Sequence, residues 1–361
     1  MQTLQTNRWT GGIAVFSALA VAVVGGLAAW RFSEGLRGDS LPGEFRFAPP
    51  AAPEAVESSW REVERFPIDT DGITAWALDP QGSIWIAAGS RLIRHDGAMV
   101  TSDSIRPPET ATALAVALPV AGAEDAESRM EDTYLFVGCG DQVVVLHGPG
   151  FTARQWKLPG WQTGHAASIA VDGDNVFVAD SGNGVVWRFD RGGNLKNEIR
   201  SANFQDPSKP RSKFWTPREF FPIAVAADEV LRVAHTGALC VETYTYDGDP
   251  LTTWGEGSSQ IEGFYGCCNP CRFALLPDGG YVTAEKGVAR VKVYSPTGEF
   301  ESLVHVASRT PPARSEDADG DQDEAEKLAA RWLDVATDAA GRVYVLDPQQ
   351  KQIRIFEALP Q

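Results

Sequence analysis

Two regimes of apolar patterning divide this chain. From Trp9 to Trp30 every residue is apolar or small, and the stretch is bounded by Arg8 and Arg31. A run of roughly twenty such residues with an aromatic at each edge is long enough to span a bilayer core, which predicts a transmembrane signal-anchor helix over 9–31 behind a short tail at 1–8. The small-x-small exit that a cleaved leader needs is poor here, so the anchor is read as retained.

Beyond residue 60 the pattern changes to short apolar bursts in the two-residue alternation of β-strands, punctuated by Gly, Asp and Asn. The clearest copy is SIAVDGDNVFVADSGNGVVWRFDRGG at 168–193, in which three strands follow one another within about twenty residues. Equivalent segments lie at 73–96, 114–146, 223–247, 273–294 and 333–356. Their spacing of roughly forty to sixty residues suits the four-stranded blades of a propeller. The chain therefore predicts an all-β, six-bladed β-propeller over 60–361, preceded by one N-terminal transmembrane helix and a Pro- and Ala-rich tether at 32–59. The last copy supplies three strands before the chain ends, so the strand-like segment 60–68 is expected to complete that blade and close the ring.

Three stretches carry a family resemblance: VFVAD at 176–180, VYVLD at 343–347, and NPCRFALLPDGGYVTAE at 269–285. With their apolar-Ala lead-in, Asp/Gly turn and acidic residue after the second strand, the blades resemble NHL repeats. Ala88 and Cys139 depart from that pattern by replacing the acidic residue. The resemblance implies a platform fold whose relatives include protein-interaction modules, with lyases and lactone hydrolases among related six-bladed propellers. It also implies that loops leaving second strands and loops leading into first strands share one face around the channel. Cys139, Asp180, His235, Glu285 and Asp347 belong to the first group, and His165, Cys267, Cys268 and Cys271 to the second.

Charge narrows the partners. With 48 acidic against 32 basic residues the net charge is −16, which repels phosphate backbones and excludes nucleic acid as a partner. An anchor with almost nothing before it is expected to deliver the propeller to the periplasmic side of an inner or cytoplasmic membrane. The acidic insertion at 310–327 imitates a calcium loop, but Gln322 and Leu328 stand where glycine and a bidentate Glu belong, so it is read as a solvated loop.

Candidate chemistry centres on cysteine. Three of the five lie in GCCNPC at 266–271, and Cys139 could supply a fourth thiol. Cys139, Cys267, Cys268 and Cys271 are candidate ligands for zinc or an iron–sulfur centre. The alternatives are a disulfide between Cys139 and one of the other three, favoured by an oxidising envelope, or redox-active thiols. Asp180, His235 and Glu285 are the catalytic candidates. Against that role, Asp180 and Asp347 suit acceptance of backbone N–H groups at their turns, and Glu285 can pair with its neighbour Lys286. Cys240 falls within a strand and reads as core. Two functions follow: a membrane-tethered module binding a protein or small ligand on its channel face, accessory to an envelope redox complex; or a metal-dependent lyase or hydrolase using Asp180, His235, Glu285 and the thiols.

Overall fold

The computed structural model describes residues 59–68, 72–88, 91–95, 110–117, 133–147, 152–160, 162–204, 206–217, 220–306 and 333–360. The anchor at 9–31, the tether up to residue 58 and the acidic insertion lie outside them. Among the described residues no helix is long and apolar enough to cross a membrane.

Six antiparallel sheets follow one another along the chain. The strand β1 (Trp60–Pro67) precedes blade 1, which is built from β2 (Ile73–Leu78), β3 (Ile84–Ala88) and β4 (Arg91–His95). Blade 2 contains β5 (Ala113–Ala117), β6 (Tyr134–Cys139), β7 (Gln142–His147) and β8 (Thr152–Lys157). Blade 3 contains β9 (Ala166–Asp172), β10 (Asn175–Asp180), β11 (Val185–Asp190) and β12 (Leu195–Ile199). Blade 4 follows with β13 (Ile223–Val225), β14 (Val230–His235), β15 (Cys240–Thr245) and β16 (Pro250–Trp254), and blade 5 with β17 (Arg272–Leu275), β18 (Tyr281–Glu285), β19 (Arg290–Tyr294) and β20 (Phe300–Val306). Blade 6 takes β21 (Asp334–Thr337), β22 (Val343–Asp347) and β23 (Gln352–Ala358) from the end of the chain and β1 from its start.

The ring closes as the sequence predicts. β1 pairs with β23 from Trp60↔Ala358 to Phe66↔Ile353, and Arg354 grips Glu62 across the seam. The first strands neighbour one another in chain order, and β21 meets β2. Among the described residues the buried apolar side chains fall into clusters that fill the gaps between successive blades, including the gap between blades 6 and 1. This explains why β3, β18 and β22 are buried at every position: each face of such a strand packs on a neighbouring blade, so strict alternation gives way to apolar runs. A large apolar side chain buried there contributes about 1.5–3 kcal/mol, and only closure of the ring secures that burial at both ends.

Candidate functional site

The register sets the geometry. In blade 3 Asp180 pairs with Ala166, and in blade 5 Ala284 pairs with Arg272, so each second strand ends beside the loop leading into its own first strand. Asp180 is fully buried there. It accepts the backbone N–H of His165 (2.8 Å), Gly182 (3.1 Å) and Asn183 (3.2 Å), the Asn183 amide (2.7 Å) and the Trp187 indole N–H (2.9 Å). Asp347 similarly accepts from the backbone of Gln349 and Gln350. A carboxylate with this many donors is spent on its turn.

His235 ends β14 and reaches a longer leading loop. The backbone N–H of Trp215 donates to its Nε2 (2.8 Å), so Nδ1 carries the proton and donates to Glu242 Oε1 at 2.7 Å. Ser201 donates to the same Glu242 oxygen (3.1 Å) and Tyr244 to the other. Burial, reinforced by Glu242, holds the Tyr244 phenol well above its ordinary range. The amide of Gly237 returns a bond to the Trp215 carbonyl at 2.9 Å, and a Cβ at Gly237 would lie 2.2 Å from that oxygen, so glycine is required where the loop crosses.

Glu285 ends β18 with no exposed surface. It accepts the Tyr265 N–H (3.2 Å), pairs with Arg290, and lies 3.2 Å from Lys292 Nζ. Lys292 is itself fully buried, bonds the carbonyls of Ile261 and Gly263, and stands 5.0 Å over the rings of Phe264 and Tyr294. Burial lowers its ammonium to about 8 against the pull of Glu285. Lys286, the partner expected for Glu285, instead donates its backbone N–H to Asn269 and holds its ammonium over the Phe220 ring.

Asp180, His235 and Glu285 thus occupy three different blades and three separate hydrogen-bond networks; they form no shared catalytic group. The thiols divide as well. Cys139 closes β6 in the core between blades 1 and 2, whereas GCCNPC leads into blade 5, on the opposite side of the ring. Neither the shared ligand set nor the disulfide expected of Cys139 is formed, and all five cysteines are thiols. Cys271 is buried, donates to the Ala284 carbonyl (3.3 Å), and is pushed up to about 12 by burial. A zinc or iron–sulfur site needing several thiolates does not fit this arrangement.

The metal-capable grouping among the described residues is His235, Cys240 and Glu242, whose ligand atoms lie within 4.8 Å of one another. It fits a metal poorly. A cation at Nδ1 would displace the proton that Glu242 receives and place a new proton at Nε2, against the Trp215 N–H. Cys240 is also held protonated, burial raising it to about 11. The sequence offered one signal for this cluster and for Arg290 and Lys292: charged residues inside CVETYT and RVKVY, strands otherwise built for burial. Ser201 and Trp215, on a loop between blades, offered none.

Two hollows remain. The axial channel, about 130 Å³, is lined by first strands of all six blades and carries the Arg272–Asp334 pair (3.1 Å). Burial raises the Asp334 carboxyl, and Arg272 opposes that shift. The second hollow, about 430 Å³, lies where blades 4 and 5 meet; it is walled by Trp215, Pro217, Leu239, Gly266, Cys267 and Cys268 among others. Trp215 is 75% exposed, far beyond any other large apolar side chain described.

Neither a known family nor a curated protein sequence matches the chain. Solved propellers do match. Virginiamycin B lyase from Staphylococcus aureus aligns at 10% identity with a TM-score of 0.50, over 82% of this chain and 99% of that one. A structural-genomics protein of unknown function from Bacteroides thetaiotaomicron aligns at 14% and 0.51, over 83% and 73% respectively. A chain of the mitotic checkpoint complex aligns at 10% and 0.51, over 90% and 100%. At such identities the likeness establishes the propeller fold alone.

Proposed function

We propose that this protein is a binding propeller of the NHL kind, held by the 9–31 anchor on the periplasmic side of an inner or cytoplasmic membrane, which docks a partner's apolar side chains where blades 4 and 5 meet. One observation carries the reading: the open apolar hollow is walled by a solvent-exposed tryptophan, while His235 and Glu285, the catalytic candidates nearby, are occupied in holding loops. A rigid aromatic at the rim of an apolar pocket is the usual anchor of a protein interface. The apolar run from Trp9 to Trp30 supports the tether, and the thiols beside the hollow suit an accessory of an envelope redox complex. The lyase and hydrolase reading draws no support from the site, and the fold likeness to virginiamycin B lyase lends no reaction.

The test is photo-crosslinking in cells, with a photoreactive phenylalanine replacing Trp215 or, as control, Leu195, which is 48% exposed on the outer strand of blade 3. A discrete adduct from position 215 and none from 195 is expected. No adduct at 215, or the same adducts from both, rejects the docking face. Extraction of membranes with alkaline carbonate checks the tether separately: the full chain should remain in the pellet.

A further inference from the structure

GCCNPC does not act as one ligand set, because its turn sorts the thiols. In an extended strand consecutive side chains point to opposite faces. Here Gly266 and Cys268 take φ of 75° and 66°, and the chain turns so that Cys267 and Cys268 line the same hollow. Asn269, fully buried, staples the turn by bonding the Tyr265 carbonyl (2.6 Å) and the Lys286 backbone. Cys271 is left behind in the core, bonded to Ala284.

From this geometry we infer that Cys267 and Cys268 form a two-thiolate site for a soft monovalent d10 cation, copper(I) being the natural example, and not for zinc. Soft thiolates suit copper(I), which is content with few ligands, whereas structural zinc takes four. The reaction releases two protons as two S–H bonds give way to two S–Cu bonds, leaving a complex of charge −1. Burial pushes the Cys268 thiol up and the Lys286 ammonium opposes that shift, so Lys286 supplies the matching positive charge once the thiolates are formed. Bis-thiolate zinc would be neutral and would gain nothing from that lysine. Exposure of Cys267 gives the ion a way in. The inference stands whether or not a protein docks on the hollow.

The test titrates copper(I) into the reduced full-length protein under anaerobic conditions, in competition with a chromophoric copper(I) chelator, with zinc in parallel. One copper(I) per chain is expected, and no comparable uptake of zinc. Cys267→Ser and Cys268→Ser should each weaken binding roughly 100-fold or more, since loss of an outer partner alone costs about 10- to 100-fold. Lys286→Met should weaken it by less, and Cys271→Ala should leave it unchanged, with melting curves confirming that each variant folds. Copper(I) binding that survives Cys267→Ser, equal affinity for zinc, or an equal loss in Cys271→Ala overturns the site. So does a Cys267–Cys268 pair that cannot be reduced in the folded protein.

Discussion

Blade 3 and the junction of blades 4 and 5 use one position of the repeat in the same way, to different ends. The residue closing the second strand accepts a backbone N–H from the leading loop in each: Asp180 from His165, His235 from Trp215, Glu285 from Tyr265. In blade 3 the donor immediately precedes β9, and a short carboxylate reaches it. In blades 4 and 5 the donors lie farther out on longer loops, and longer side chains replace aspartate. The substitutions that look like chemistry in the sequence are thus the fittings that hold two enlarged loops, and those loops build the hollow. What differs between the regions is surface: blade 3 spends Asp180 on a short leading loop, whereas the junction leaves Trp215 and Cys267 exposed to solvent with Cys268 beside them.

The comparison breaks most visibly at Glu285. Glu285→Ala strands the Arg290 and Lys292 cations in the core and should cost about 3–5 kcal/mol, read as a fall in the urea midpoint. Adding Lys292→Met should recover part of the loss, because one orphaned charge is then removed. Asp180→Ala should cost less, about 1–3 kcal/mol, since it orphans neutral donors. Equal losses at the two positions would mean that the blade 5 network is no more than a turn cap.

At the ring seam the expected effect is smaller and depends on pH. Arg65 holds the Glu62 carboxyl down to about 2 from 4.5, aided by Arg354 and opposed by burial. A lowered carboxylate stabilises the fold above its unfolded value, and that contribution is lost as pH falls from 4.5 toward 2. Acid titration of Glu62→Gln should therefore lack this component, while Asp180→Ala should retain it. The smallest change in stability belongs to Trp215→Ala, within about 0.5 kcal/mol by thermal melting, because the ring is solvated. A large loss there would make Trp215 structural and remove it as an anchor.

The propeller was legible because its signals are local: alternating strands, Asp/Gly turns, and a lone strand at 60–68 awaiting a partner. The site was legible only in part. Position at the end of a second strand correctly grouped Asp180, His235 and Glu285, yet it could not show that each answers to its own leading loop. Pairing Glu285 with Lys286 failed because neighbours at the end of a strand diverge, whereas Arg290 lies opposite Glu285 across the β18–β19 hairpin. Joining Cys139 to GCCNPC failed because the shared face runs round the whole ring, so a common face does not make two blades neighbours.

The most direct measurement of the central claim, that these polar residues hold loops instead of performing chemistry, is the nitrogen NMR spectrum of the His235 ring. The account expects the Nδ1–H tautomer with Nε2 accepting from the Trp215 amide, unchanged by added zinc. An Nε2–H tautomer, or a ring signal that shifts with stoichiometric zinc, would contradict it and restore His235 as a ligand or catalytic base.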